Sequence, residues 1–392
     1  MTKNIGVKVS LLTLQATRYC NLRCRYCYVS ADGKSDPTVM SDTTLLTTLA
    51  KLRDEDLLGE RLEISWHSGE PLSAGTAFYD NAFAVIDRVV GSKTQVVHHF
   101  QTNATLIDRR WADFFRRRDV RVGVSLDGPR QLHDHNRKFR NGSGSHQSVM
   151  RGVDHLRRAG ITPSVICVVT EKSLHCPTDI HDFFCEEGFQ SISLNPEEIE
   201  GINTRSSLSQ RDDWRVLYKR FMDLFHKRMK DFGNRLVVRQ FSHVHAWLQE
   251  KCQYASGPAI PFNHLTVSNN GDFSTFSPEL ITARHERFGD FILGNVRQGR
   301  LSDAGRGSKF KRLWSEIMDG LLRCKNECPL FSCCGGGAPS NKLFENGSFA
   351  STCTIACEAG IRIPFEVVKE SAENGTVMWK RMDGAARSKE TL

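Results

Sequence analysis

One feature constrains this chain above all: short β-like runs alternate with amphipathic helical stretches from Val9 to Phe232. The strand-like runs are Val9–Thr17, Arg61–Trp66, Val96–Thr102, Arg121–Asp127, Thr162–Thr170 and Ser191–Asn195. Helical patterns fall between them near Ser41–Asp56, Thr76–Val90, Asp108–Arg117, Ser148–Ala159 and Pro177–Glu187, and a further amphipathic stretch covers Gln210–Phe232. Such alternation predicts parallel strands joined by right-handed crossover helices. Six units suit an open or partial (β/α)6 barrel of the TIM type, in which chemistry belongs beyond the carboxyl ends of the strands.

The remainder of the 392 residues has a different texture, with short strands and dense Gly and Cys after about residue 260. The expected division is residues 1–232 as the partial barrel, 233–260 as a bridge and 261–392 as a cysteine-stapled domain ending in a frayed tail. Hydrophobic residues at 39% and charged ones at 25% supply a packed core and exclude wholesale disorder. No unbroken apolar run is long enough to span a bilayer, and the first twenty residues lack the apolar core of an export signal, so a cytoplasmic, non-membrane protein is expected. The net charge of +8 permits nucleic-acid binding, but its densest runs, Arg109-Arg110 and Arg116-Arg117-Arg118, share one predicted helix and read equally as a solvated face. No nucleic-acid partner is expected.

Thirteen cysteines, an odd count without an export signal, argue for metal or redox chemistry rather than a disulfide framework. Cys20, Cys24 and Cys27 stand in C-NLR-C-RY-C, directly after the first strand. Three thiolates cannot complete a structural zinc site without a distant fourth ligand, whereas they hold three irons of a cubane and leave the fourth open. A second set, Cys324-x3-Cys328-x5-Cys334 with Cys357 beyond, offers four thiolates in a Gly-rich segment. By spacing alone that set fits zinc or a fully ligated iron–sulfur cluster.

The first cysteine set, with the aromatic Tyr26 before its last member, resembles the signature of the radical S-adenosylmethionine (SAM) enzymes. Further markers of that family follow in order: Ser68-Gly69-Glu70-Pro71 after the second strand, with Ser68 replacing a glycine, Gln101-Thr102-Asn103 after the third, Ser125-Leu126-Asp127-Gly128-Pro129 after the fourth, and His133-Asp134-His135-Asn136-Arg137. The resemblance implies a SAM-binding [4Fe-4S] cluster on Cys20, Cys24 and Cys27. It implies SAM contacts from Ser68, Gly69, Glu70, Pro71, Thr102, Asn103, Ser125 and Asp127. Arg137, or else Arg140, is suited to a bidentate pair with the methionine carboxylate, and Asn195 is a candidate for adenine or ribose. The C-terminal segment resembles a SPASM auxiliary domain, which implies a second [4Fe-4S] cluster on Cys324, Cys328, Cys334 and Cys357. Phe276 and Ala338 occupy two positions where a full SPASM domain carries ligands to a further cluster, so one auxiliary cluster is expected, not two. Cys167, Cys176, Cys185, Cys252, Cys333 and Cys353 remain for packing, with Cys333 and Cys353 as alternatives to their neighbouring ligands.

Finer likenesses, WHSGEPL with AFYDNAF, LNPEEIEGIN, FSPEL and CGGGAPSNKLFENG, resemble the peptide maturases of the Grr and Xye types, which build cyclophanes. They imply a ribosomally made precursor peptide as substrate, an external one-electron reductant of the flavodoxin or ferredoxin type, and a carbon–carbon bond between an aromatic ring carbon and a nearby β-carbon. Glu197, Glu198, Glu200 and His98 are candidates for the base that takes the ring proton. Competing readings are another SPASM-type peptide oxidation, either thioether formation or sulfatase maturation, and a zinc-stapled nucleic-acid-binding protein.

Overall fold

The structure, a computed structural model, describes residues 7–29, 35–250 and 257–373. Six parallel strands lie in sequential order: β1 (Val9–Leu14), β2 (Leu58–Trp66), β3 (Gln95–Thr102), β4 (Arg121–Ser125), β5 (Ser164–Val169) and β6 (Ser191–Pro196). The crossovers are α1 (Asp42–Asp54), α2 (Thr76–Val90), α3 (Arg109–Arg118), the pair α4 (Arg130–Asn136) and α5 (His146–Arg158), then α6 (Pro177–Glu186) and α7 (Trp214–Asp231). Ser41 starts α1 by accepting from Thr44 N, and Asp108 starts α3 by accepting from Trp111 N at 2.9 Å. Arg116, Arg117 and Arg118 close α3 at its negative end, where cations are favoured. Helix α4 follows no signal in the sequence, because seven residues are too few to display a helical period.

Alternation within each strand shows which way it faces. Leu62, Ile64 and Trp66 of β2, His98, Phe100 and Thr102 of β3, and Val165, Cys167 and Val169 of β5 are buried under the helices. Their neighbours along the strands stay half-exposed on the concave side, as a barrel left open requires. Edge-to-face aromatics seal the outer layer: Tyr79 lies 5.0 Å from Trp66 and 4.8 Å from Phe100.

The sheet does not stop at β6. A two-residue β7 (Val237–Val238) extends that edge and leads into α8 (Arg239–Glu250). At the opposite edge β8 (His264–Val267) pairs parallel to β1, with Leu11 opposite His264, and β9 (Asp272–Thr275) returns antiparallel to it. The C-terminal third therefore shares one ten-stranded sheet with the barrel rather than hanging from it. Beyond lie α9 (Ser308–Glu327), α10 (Phe331–Cys334), α11 (Pro339–Asn346) and a last helix, Ile363–Glu373. That last helix packs back on the barrel, where Lys219 pairs with Glu370 at 2.9 Å and Trp247 meets Phe365 at 5.7 Å. Among the described residues no helix is long and apolar enough to cross a membrane.

Candidate cluster and cofactor site

Cys20, Cys24 and Cys27 lie on the loop leaving β1, beyond its carboxyl end. The SGEP loop after β2 clamps the start of that segment. Glu70 N donates to Tyr19 O at 2.7 Å, and a Cβ on Gly69 would stand 2.6 Å from the same oxygen. Only glycine fits there, at φ +62°. The three thiols are close enough to oppose one another's ionisation: burial first, then Glu70, Cys24 and Cys27 push Cys20 up to about 12. Leu22 N lies 3.4 Å from Cys20 Sγ and Asn103 Nδ2 lies 3.8 Å from it, N–H groups aimed at sulfur that stabilise a thiolate. Among the described residues no three His, Cys, Asp or Glu side chains converge on a single ion-sized point. A mononuclear zinc site needs its thiolates about 3.8 Å apart, given a Zn–S distance of about 2.3 Å. Three thiols on one loop suit three irons of a cubane, with the fourth iron left open.

The loops named from sequence converge around these thiols through buried hydrogen bonds. Glu70, wholly buried, accepts from Leu72 N at 3.1 Å, Thr102 Oγ1 at 2.6 Å and Asn103 N at 2.8 Å, and burial pushes its carboxyl up to about 7. Both of its oxygens are thus spent on joining the loops after β2 and β3. Asp127 is a second brace. It faces Arg137 Nε at 3.1 Å, accepts from Val168 N at 3.0 Å and takes a short bond from the Tyr26 hydroxyl, with Arg137 over the Tyr26 ring at 5.3 Å. The aromatic before the third cysteine is thereby tied to the strand that ends in Asp-Gly. Ser68 Oγ is buried without a hydrogen-bond partner, which suits the receipt of a ligand amine, while Pro71 opens the helical turn beneath it. Ser125 Oγ accepts from Gln101 Nε2 at 3.0 Å, an arrangement Gly123 permits because a Cβ there would stand 2.3 Å from Gln101 Oε1. Arg140 donates from Nε to Cys20 O at 3.0 Å and Asn195 Oδ1 accepts from Ser193 at 2.6 Å.

The proposed base set changes. His98 is packed under α2, 3.9 Å from the Phe83 ring, and burial lowers it to about 3, so it lies on the helix side of the sheet, away from the strand ends. The Glu197 carboxylate is held by the Ser207 backbone and hydroxyl and closes its own loop. Glu198 and Glu200 stand apart from these two. Each is strongly desolvated, with Glu279 and Tyr28, the residue after Cys27, as neighbours; Glu345 is near them too, but its carboxylate accepts from Ile355 N and Ala356 N. Glu279 and Glu345 lie within FSPEL and CGGGAPSNKLFENG, but only the tertiary fold brings them near Glu200.

The second cysteine set gathers where α9, α10 and the segment before the last helix meet. Cys334 feels Cys328 and Cys324, and Cys357 feels Cys334. Two cations face these sulfurs: Lys342 Nζ, nearly buried, lies 3.3 Å from Cys324 Sγ, and Arg362 Nη2 lies 3.7 Å from Cys328 Sγ. Cys333 is fully buried in the core, while Cys353 is exposed and 3.1 Å from Glu358 Oε1. The twelve described cysteines are free thiols, and Cys252 lies outside the described residues. Phe276 is buried at φ +74° and stacks on Phe310 and Trp314, each at 5.9 Å, so aromatic packing fills the position of an absent ligand.

A partial barrel with three thiols on its first loop defines a radical SAM fold, and residues 14–184 match the Radical SAM superfamily model. The chain belongs to that superfamily and is an enzyme of it, using SAM and [4Fe-4S] chemistry; its cysteine inventory suits two such clusters. It is 37% identical over 366 residues to an uncharacterised protein, sll1766, of Synechocystis sp., covering 92% of this chain and 91% of that one. A serine-type anaerobic sulfatase-maturating enzyme of Bacteroides thetaiotaomicron is 26% identical over 83% of this chain and 81% of its own. Among solved structures, anSMEcpe with bound AdoMet superposes with a TM-score of 0.75 at 21% identity, over 94% of this chain and 95% of that one. Streptococcus suis SuiB bound to its precursor peptide SuiA gives 0.62 at 15%, over 91% and 77%.

Proposed function

We propose that the protein is a peptide maturase that joins an aromatic ring carbon to the β-carbon of a nearby residue in a ribosomally made precursor, forming a cyclophane. The observation that carries the reading is that the loop after β6, which bears the desolvated Glu198 and Glu200, joins the cysteine loop to the C-terminal helices, Ile202 N donating to Tyr28 O at 3.2 Å and Asn341 Nδ2 reaching Glu200 Oε1 at 3.5 Å. Relatives named for protein and peptide maturation support the substrate class. Sulfatase maturation is the second reading, favoured by the Bacteroides relative; Phe276 and Ala338, standing where a full auxiliary ligand set has cysteines, favour the first.

In this reading Cys20, Cys24 and Cys27 hold the SAM-binding cluster, and Cys324, Cys328, Cys334 and Cys357 the auxiliary one. When bound and reduced by a flavodoxin- or ferredoxin-type partner, SAM and its cluster supply a 5′-deoxyadenosyl radical. The chain's own work is positional. Ser68, the Gly69 backbone and Arg137 orient the amino acid end of SAM, Ser125 and Asn195 face its nucleoside, and Glu70, Thr102, Asn103 and Asp127 hold those loops together. Glu198 or Glu200 receives the ring proton, since a carboxyl raised toward neutrality by burial is matched to that task. The product is lighter by two hydrogens: one leaves as an atom to the 5′-deoxyadenosyl radical and one as a proton to the carboxylate, and the remaining electron would have the auxiliary cluster on Cys324, Cys328, Cys334 and Cys357 as its acceptor. Anaerobic co-expression with a candidate precursor peptide from a neighbouring open reading frame, followed by tandem mass analysis, should show that loss within one aromatic-bearing segment. An unmodified mass, or an aldehyde gained at Ser or Cys, sinks the reading.

A further inference from the structure

Lys342 of α11 stands where a lysine is costly. It is 4% exposed and lies in a run of buried residues from Pro339 to Leu343, so its ammonium has left water. A charge taken out of water needs an anion close by, or the fold loses more than a hydrogen bond returns. Among the described residues its Nζ meets no carboxylate: its partners are Gly320 O at 3.1 Å and Cys324 Sγ at 3.3 Å. The carbonyl is a neutral dipole. The sulfur is therefore the partner that can carry the counter-charge.

The surroundings single out Lys342 rather than its cationic neighbour. Arg362 also faces the cysteine set, with Nη2 3.7 Å from Cys328 Sγ, but its Nη1 lies 3.2 Å from Glu358 Oε1. Arg215 pairs in turn with Glu358 and Glu366, so two guanidiniums and two carboxylates close on themselves and their charges cancel. Lys342 has no such balance. Cys324, near the end of α9, is itself buried, and Gly336 N donates to Cys334 Sγ at 3.4 Å, so donors rather than acceptors are aimed at these sulfurs. A methionine would fill the volume of Lys342 without the cost of its charge, and the charge is what needs an explanation.

We propose that Lys342 is the counter-charge of the auxiliary cluster and makes that cluster easier to reduce. The proposal rests on the reading above in which Cys324, Cys328, Cys334 and Cys357 hold it, but not on the bond formed in the substrate. Four thiolates on a cubane carry about −2 overall in the oxidised state, and one added electron makes that about −3. An ammonium against a ligand sulfur, in a site without water to screen it, favours the more negative state. Lys342 thus tunes the acceptor for the electron left when the ring regains its aromaticity, without itself forming or breaking a bond.

The test uses the anaerobically reconstituted full-length protein and follows the paramagnetic signal of each reduced cluster against a poised potential. The SAM-binding cluster is told apart by the change in its signal when SAM is added. Lys342→Gln and Lys342→Met should make the auxiliary cluster at least tenfold harder to reduce, a midpoint lower by about 59 mV for one electron. Lys342→Arg, which keeps the charge, should retain most of the parent midpoint, and Lys325→Gln on the exposed face of α9 should move neither cluster. An unmoved auxiliary midpoint in both neutral variants overturns the proposal. Equal loss of auxiliary iron in all three Lys342 variants overturns it too, because packing rather than charge would then be at stake; loss confined to the neutral pair supports it. About four irons per chain in the parent, instead of about eight, would refute the ligand reading and the proposal with it, and is read before any variant is made.

Discussion

Asp127 shows how much one motif residue can carry. Its carboxylate holds the Arg137 guanidinium, the Tyr26 hydroxyl and the Val168 amide at once, and both ion-pair partners are more than nine-tenths buried. Removing one member of a buried pair leaves the other charge uncompensated, at a cost of about 3–5 kcal/mol. Asp127→Asn is therefore expected to lower unfolding stability by about 3 kcal/mol in urea, because Arg137 keeps its charge without its partner. A change under about 1 kcal/mol would mean that Arg137 finds another anion. The residue was legible in sequence as part of a strand-end motif, but as a SAM contact; its role as a brace depends on Tyr26 of the cysteine loop and Val168 of β5. Glu70 follows the same pattern. A carboxylate in the second-strand motif turns away from the ligand side because three donors of the chain itself reach it first.

At the scale of elements, helix α9 explains how the C-terminal region is held. Gly320 lies against the Phe349 carbonyl so closely that a Cβ would stand 2.1 Å from that oxygen, and Lys342 donates to Gly320 O at 3.1 Å while facing Cys324. Alanine normally stabilises a helix interior by about 1 kcal/mol over glycine. Here Gly320→Ala should instead separate α9 from the segment carrying Cys353 and Cys357. Iron content is expected to fall from about eight to about four per chain, with peptide-independent SAM cleavage retained. Full iron content with equal or raised melting temperature would refute the packing argument. The basic face of α3 is ordinary by comparison: Arg109 and Arg116 pair with Asp113, and Arg118 with Asp80.

The whole molecule places unlike demands on pH. Glu279 is raised to about 7 by burial first and Glu198 second, against an ordinary value near 4.5. The folded state holds that proton over a range in which the unfolded chain has lost it, so its ionisation erodes stability between about pH 4.5 and 7 and no further above. Buried histidines act in the opposite sense: His264 is lowered to about 4, so folding is favoured progressively as pH rises from there to about 6.5. The two sets partly cancel in the parent, and a difference measurement separates them. Glu279→Gln should gain stability relative to the parent as pH rises from 5 to 8, by at least about 1 kcal/mol. A flat difference across that range would show that the carboxylate is solvated. Glu279 follows β9 while its neighbours Glu198 and Glu200 follow β6, so their mutual burial arises only in the assembled fold.

By itself the sequence determined the alternating α/β fold, the strand ends where chemistry gathers and the two cysteine sets, because hydrophobic period and ligand spacing are local properties written in consecutive residues. The observed strands agree with the expected ones to within about three residues at either end. Tertiary structure decided the rest. It paired β8 with β1 across more than 250 residues of chain, sent His98 to the helix side of its strand and gathered Glu198, Glu200, Glu279 and Glu345 from three separate segments. Burial and charge proximity depend on which distant segments share a wall, and no local pattern encodes that.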